Sequence, residues 1–283
     1  MQFNINQNKP VIALLGAGAM GTAIVKRIAA GKVILIGDIS EKNLEAKAAE
    51  LRMQGLDVET QNVDATDRNS IRAFAQSAAE LGEVKYFIDT AGASPNQSSP
   101  EHIIRLDLMG TSYAIDEFAK VIANGGAGIV ISSQTGYMMH FTSEVEHQLA
   151  TVPTDEIMNL DFVKNDAIRN SGVAYVVSKR ANQLRVRTAA ATTWGDARAR
   201  INTISPGIIV TPLAYDEFRA AGDNYQQMIN ASAARRTGTV DEVANAADFL
   251  LSEKASFITG ADLLIDGGVI AAIESGRYEL EGL

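Results

Sequence analysis

Three side chains stand at spacings that suit proton transfer. Tyr175 and Lys179 lie four positions apart in Tyr175-Val176-Val177-Ser178-Lys179. On a helix that spacing puts both on one face. An ammonium beside a phenol favours the phenolate. A phenol tuned in this way passes a proton to a carbonyl oxygen or takes one from an alcohol. Ser133 ends the apolar run Ile129-Val130-Ile131-Ser132-Ser133, where its hydroxyl can steady the same oxygen. A Tyr and a Lys at this spacing are also a common chance pairing on helices, so context must decide.

A second group suits a phosphate. Gly16-Ala17-Gly18-Ala19-Met20-Gly21 follows an apolar run and opens a stretch of helical spacing. The first glycine permits a tight turn, the second lets phosphates approach the backbone, and the third lets helix pack on strand. The amides at the start of the helix then suit a pyrophosphate. Asp38 stands 20 residues after Gly18, at the end of the next apolar run. A carboxylate there accepts both ribose hydroxyls of a dinucleotide and repels a 2′-phosphate. The nearest following cation is Lys42. This favours NAD over NADP. Met20, Ile39, Asp64 and Ala65 join the same expected binding surface, with Asp64 suited to the adenine amino group. Asp38 and Asp64 also suit capping of the helices that follow them.

These residues need elements to hold them. Segments at 11–15, 33–36, 58–63, 84–89, 128–132, 200–204 and 261–265 read as strands, several of them short continuous apolar runs. Runs without polar alternation suggest a parallel sheet covered on both faces. Helical spacing fills 20–30, 41–53, 69–81, 100–123, 172–193 and 241–251. Asp67 or Asn69 suits the cap of the third. Strand and helix in alternation predict an α/β, doubly wound, Rossmann-like fold with a parallel sheet of about seven strands. No linker divides 1–283, so a single domain is expected. The stretch 137–170 breaks the cadence and reads as an insert of loops and short helices.

Composition narrows the function. Acidic residues outnumber basic ones, 34 to 25, for a formal charge of −9, and no basic patch appears. That speaks against a nucleic-acid partner. The chain has no Cys, which excludes disulfides, a catalytic thiol and a thiolate zinc site. No metal is expected from His102, His140 and His147. No apolar stretch reaches the ~18 residues of a membrane span. The first residues lack a basic-then-apolar secretory pattern, so a cytoplasmic protein is expected.

Together these residues resemble the short-chain dehydrogenase/reductase family, from Pro10 to about Ala271. Ile131-Ser132-Ser133-Gln134-Thr135-Gly136 keeps that family's strand, two serines and glycine. Its Asn-Asn-Ala-Gly appears as Asp89-Thr90-Ala91-Gly92, its Pro-Gly as Pro206-Gly207, and a late Asp266-Gly267-Gly268 also fits. The resemblance implies a catalytic set of Ser133, Tyr175 and Lys179, with Lys179 also holding a ribose hydroxyl. It implies that Ala91, Gly92, Pro206 and Gly207 border the cofactor. The backbone near Ile209 would meet the nicotinamide amide, and Thr211 the amide or the pyrophosphate. A substrate lid is implied at 211–235, holding Leu213, Tyr215, Phe218, Tyr225, Met228 and Ile229. A homodimer or homotetramer is implied, the long helix carrying Tyr175 pairing with its copy.

Three departures stand out. The Gly16, Gly18, Gly21 turn is one residue tighter than the family's common form. Asp107, in Asp107-Leu108-Met109-Gly110, replaces the Asn that holds a relay water in the family. An ionised carboxylate accepts from such a water and does not donate. Ser133 and Tyr175 lie 42 positions apart, and the surplus over the family's usual interval is the 137–170 insert. The insert resembles one found in some bacterial hydroxysteroid dehydrogenase/carbonyl reductase members, where it would wall the substrate pocket or serve subunit contacts. The expected activity is hydride transfer between NAD and a secondary alcohol or ketone, mostly apolar given Met138, Met139, Phe141 and Leu149. The second reading is a non-catalytic NAD(H)-binding sensor or scaffold, which only Asp107 favours.

Overall fold

The strand β1 (Pro10–Leu15) sends alternate side chains to opposite sides, and this sorting builds the two halves of the core. Val11, Ala13 and Leu15 join one apolar cluster; Ile12 and Leu14 join the other. A computed structural model describes residues 9–96, 98–164, 168–211 and 223–280. Around β1 lie β2 (Val33–Asp38), β3 (Asp57–Asn62), β4 (Glu83–Asp89), β5 (Ile122–Ile131), β6 (Arg200–Pro206) and β9 (Asp262–Ile265). The order across the sheet is β3-β2-β1-β4-β5-β6-β9, and every pairing is parallel. Parallel neighbours require crossovers, which the helices supply. The short strands β7 (Ile209–Val210) and β8 (Gly238–Thr239) form a separate pair that the apolar pattern did not announce.

Helices α1 (Ala19–Ile28), α2 (Glu41–Met53) and the helix Val240–Leu251 cover the face of Ile12 and Leu14. Helices α3 (Arg68–Leu81), α5 (Thr111–Phe118) and α8 (Ser171–Ala191) cover the other. There Phe87 stacks on Phe118 at 4.1 Å, and Phe74 meets Phe118 edge-on at 5.6 Å. Trp194 is fully buried beside them, its indole N–H donating to the Ile115 carbonyl at 3.0 Å. Its ring lies so close to Gly128 that a Cβ there would stand 2.6 Å away. Helix starts follow their caps: Ser40 for α2, Asp67 for α3, Asn170 for α8, and a Thr239–Glu242 capping box for Val240–Leu251.

Several expected boundaries shift. β5 begins six residues before the expected strand, at Ile122. The helical stretch from Pro100 runs through α4 (Pro100–Ile103), a π-helical turn over Ile104–Gly110, and α5, which ends at Phe118. β3 stops at Asn62, so Asp64 lies beyond the strand rather than at its end. The stretch after Ser133 contains a 3-10 turn (Gln134–Tyr137), α6 (Ser143–Thr151), a second 3-10 turn (Thr154–Asn159) and α7 (Asp161–Lys164). Leu149 and Ile157 in it are 1% exposed and belong to the core, so Leu149 is a packing residue. Asp155 ties this stretch down: its Oδ1 accepts from the Tyr113 hydroxyl at 2.8 Å and its Oδ2 from Arg68 at 3.0 Å. No helix among the described residues is long and apolar enough to cross a membrane.

Candidate active site

The sheet order reverses between β1 and β4, which opens a crevice beyond their carboxyl ends. The glycine turn fills one side of it. Gly16 has φ +94°, and a Cβ there would lie 2.7 Å from the Ala91 nitrogen. This contact seats the turn against the exit of β4, where the Thr90 hydroxyl donates to the Gly16 carbonyl at 2.9 Å. Gly21 packs α1 onto β1: a Cβ would stand 2.7 Å from both Leu14 and Thr90 side chains. Gly18 differs from both. It caps α1 with no side-chain partner, and a Cβ there meets nothing within 4 Å. Open space beside uncapped helix-start amides fits a pyrophosphate. Met20 is half-buried and packs toward the core.

Asp38 closes β2 and turns back toward this loop. Its Oδ2 accepts from the Ala17 N–H at 2.7 Å and its Oδ1 from the Ser40 N–H at 2.8 Å. Ser40, not Asp38, caps α2. Each carboxylate oxygen keeps a lone pair for a ribose hydroxyl. Ile39 beside it is 67% exposed, an apolar surface of the kind an adenine ring covers. The Asp64 Oδ1 accepts from the N–H and the hydroxyl of Thr66 at 2.8 and 2.7 Å, forming a local turn, while Asp67 takes the capping role. Ala65 lies against Gly110, where a Cβ would stand 2.6 Å from the Ala65 carbonyl.

Across the crevice, α8 carries Tyr175 and Lys179. The Lys179 Nζ lies 5.0 Å from the centre of the Tyr175 ring. Lys179 is 4% exposed, and its Nζ stands 3.4 Å from Oδ2 of Asp107 in the π-helical turn. Such turns insert one extra residue per turn and recur at functional sites. Ser133 begins the 3-10 turn after β5 and is half-buried, its Oγ accepting from the Thr135 N–H at 3.2 Å. Ser132 joins the two elements: its hydroxyl donates to the Lys179 carbonyl at 2.8 Å. Gly136 keeps them close, since a Cβ there would lie 2.7 Å from the Gln183 amide.

Burial alone would lower the Lys179 pKa, but Asp107, Tyr175 and Asp89 more than offset it and hold the ammonium above its ordinary range. Complete burial raises Asp107, opposed by Lys179 and by the Ala93 N–H. Asp89 is pushed up to about 6 by its own burial, against the Ala91 N–H and Lys179. Two further residues border this cluster without an assigned role in the sequence pattern: Asp89, and Asn182, whose Nδ2 donates to the Asp107 carbonyl at 2.9 Å. Asp89 had a readable signal: it ends an apolar strand where the related pattern carries Asn.

The β6 exit forms the floor. The Gly207 N–H donates to the Ile265 carbonyl at 3.1 Å, and a Cβ on Gly207 would stand 2.6 Å from Asp266. Pro206 and Ile209 are buried and Thr211 is half-buried. Asp266 serves its own loop, accepting from Gly268 and Ile270 N–H groups at 2.8 and 2.7 Å. Leu213, Tyr215 and Phe218 of the expected lid lie outside the described residues. Tyr225, Met228 and Ile229 fall on the helix Asp223–Ala231.

Comparison with known proteins bears on the family and the fold. A family model described as "Enoyl-(Acyl carrier protein) reductase" matches residues 16–270. The short-chain dehydrogenase/reductase bsc3 of Alternaria brassicicola is 35% identical over 93% of this chain and 97% of its own. The D-threitol dehydrogenase of Mycolicibacterium smegmatis is 28% identical over 95% of each chain. A short-chain type dehydrogenase/reductase structure from Mycobacterium ulcerans superposes with a TM-score of 0.76 at 22% identity, covering 93% of this chain and 90% of that one. That likeness shows the fold; the sequence matches carry the relationship. On this evidence the chain belongs to the short-chain dehydrogenase/reductase family, oxidoreductases that use a nicotinamide cofactor and act at CH–OH and C=O groups.

Proposed function

We propose that the protein is an NAD-dependent dehydrogenase/reductase for a mostly apolar secondary alcohol or ketone. The observation that carries this reading is the Lys179 ammonium 5.0 Å from the Tyr175 ring, on a helix tied through Ser132 to the strand end that presents Ser133.

Gly16, Gly18, Gly21, Met20, Ala91 and Gly92 would hold the pyrophosphate half, with Asp38, Ile39, Asp64 and Ala65 about the adenosine. Pro206, Gly207, Ile209 and Thr211 would border the nicotinamide, and Lys179 would hold its ribose. When bound, the nicotinamide accepts or returns a hydride. The chain manages the proton. In oxidation the Tyr175 phenolate takes the substrate's hydroxyl proton, and in reduction the phenol returns it. Ser133 donates to the substrate oxygen and fixes its position. Lys179 favours the phenolate. Asp107 holds Lys179 in place. Intact Ser133, Tyr175 and Lys179 speak against a non-catalytic sensor.

NAD is favoured because Asp38, anchored to Ala17 and Ser40, would meet the ribose hydroxyls, and its charge would repel a 2′-phosphate. An apolar substrate is supported by Met138, Met139 and Phe141 after Ser133, and by Tyr225, Met228 and Ile229. A cytoplasmic homodimer or homotetramer is the expected working form, and the exposed Phe249 and Phe257 support association.

The test is a steady-state screen with NAD⁺ and NADP⁺ against diverse secondary alcohols, repeated with Tyr175→Phe. Turnover in the variant should fall by about 10²–10⁴-fold, with NADH binding, followed by its fluorescence, largely kept. Unchanged turnover would overturn the role of Tyr175.

A further inference from the structure

Lys179 is paired with one buried carboxylate, Asp107, and feels the charge of a second, Asp89, from a different element. Asp107, from the π-helical turn, is 0% exposed, and Asp89, at the end of β4, is 1% exposed. The loop between Asp89 and Ala93 gives one amide to each. Ala91 donates to Asp89 Oδ1 at 3.0 Å and Ala93 to Asp107 Oδ1 at 2.7 Å. The second oxygen of Asp107 is buried and has no hydrogen-bond partner, while the Thr111 hydroxyl also reaches the Asp89 carboxylate. Lys179 Nζ stands 3.4 Å from that oxygen of Asp107, an ion-pair distance too long for a strong hydrogen bond. Between them is Gly92, whose missing Cβ would lie 3.4 Å from both Nζ and Asp107 Oδ1. The backbone carbonyl of Asp107 is already taken by Asn182.

The Lys179 ammonium therefore sits against Asp107, and the loop that both carboxylates grip passes it at Gly92. Ionised together, the three carry a net negative charge in a medium that screens poorly. Tyr175 on α8 faces Lys179 at 5.0 Å from the ring centre, and the exposed His102 on α4 adds a small charge effect at Asp107. The next cation on α8, Arg180, is engaged by Glu146.

We infer that Asp89 and Asp107 together set the net charge that Lys179 presents to Tyr175, and so the pH at which Tyr175 exchanges its proton. The inference rests on the proposed role of Tyr175. A lone ammonium would favour the phenolate strongly; each neighbouring carboxylate cancels part of that field. Both are positioning residues, acting through Lys179. The tyrosine then ionises at higher pH than it would beside an uncompensated lysine, which favours the protonated form that reduction of a ketone uses.

Asp107→Asn and Asp89→Asn each remove one charge while keeping the oxygen that accepts from Ala93 or Ala91. Two readouts test them. The first is the ultraviolet titration of Tyr175, obtained as the difference between each protein and the same protein carrying Tyr175→Phe. The second is the pH profile of kcat/KM for alcohol oxidation with NAD⁺. Each variant should lower the Tyr175 midpoint by about one pH unit, and the oxidation limb should move down with it. Midpoints that stay put or rise in both folded variants would overturn the inference. A purely structural role would change amplitude or stability and leave the midpoint alone. The absorbance readout needs no turnover. A lowered midpoint in a protein that oxidises no alcohol would therefore refute the enzymatic reading and sustain the charge coupling. Should Asp107→Asn fail to fold, Asp89→Asn decides by the same two outcomes.

Discussion

Asp38 and Ala17 are joined by a 2.7 Å hydrogen bond, so the carboxylate that ends β2 is locked to the middle of the glycine turn. One side chain thus anchors the loop and, on the proposed reading, would present its charge to a cofactor ribose. With Asp38 intact, kcat/KM should favour NAD⁺ over NADP⁺ by at least ~10-fold, a difference of ~1.4 kcal/mol. Asp38→Ala should erase most of that preference and weaken NAD⁺ use, measured by initial rates with each cofactor. A wild type that prefers NADP⁺ would refute the role given to Asp38.

Gly18 and Gly21 should respond differently to alanine. At Gly21 the added methyl meets Leu14 and Thr90 at 2.7 Å, and Gly21→Ala should cost roughly 1–3 kcal/mol in urea unfolding. At Gly18 the methyl enters open space, and the backbone φ of −75° suits alanine. Gly18→Ala should leave unfolding unchanged and weaken NADH binding by about ten-fold, ~1.4 kcal/mol. Equal stability loss in the two would show that Gly18 serves packing instead.

Asp89 should make the protein less stable as pH rises. Its folded pKa of about 6 exceeds the ordinary 3.8, so the folded state keeps a proton that the unfolded chain has released. Relative stability is full below about pH 4 and is lost as pH rises through about 6. Asp89→Asn should gain little at about pH 4 and as much as roughly 3 kcal/mol above about pH 7. Urea melts across that window check it; a gain independent of pH would show that the carboxyl is not titrating there.

Glu117 should behave with the opposite sign. Its side chain is 2% exposed, and burial alone would raise its pKa. Lys120, Arg68 and Arg72 reach it at 2.6, 2.9 and 3.3 Å and hold it down to about 2. This contribution is present above about pH 4.5 and is lost as pH falls toward about 2. Arg72 and Lys120 are 44% and 57% exposed, so screening trims the effect to about 2 kcal/mol. Glu117→Gln should destabilise by that amount at about pH 7 and match the wild type near pH 2–3, by thermal unfolding at both pH values.

The sequence carried the local rules well. The roles of Gly16, Gly18 and Gly21 follow from glycine sterics, and the structure distributes them as the spacing suggested: turn, open approach, packing. The strand and helix alternation was legible because both faces of the sheet are covered. β3 was harder, since Asp57–Asn62 buries only Val58 among mostly exposed polar neighbours. The 137–170 stretch reads as an insert of loops and short helices because it breaks the alternation, and its few apolar residues gave no sign that Leu149 and Ile157 are sealed in the core. The neighbourhood of Lys179 was least readable. Asp89 and Asp107 lie far from it in sequence, and the tertiary fold alone brings the three together. Nor could helical spacing reveal the π turn that places Asp107, because its extra residue interrupts the period without breaking the helix.

Trp194 is the chain's single tryptophan, sealed among Ile115, Gly128 and Phe87 with its N–H engaged. Its fluorescence therefore comes from one dry, fixed environment between α5 and the sheet. A red shift in emission marks water reaching the middle of the domain. The molecule carries a built-in optical gauge of global opening, free of the overlapping signals that a second indole would add.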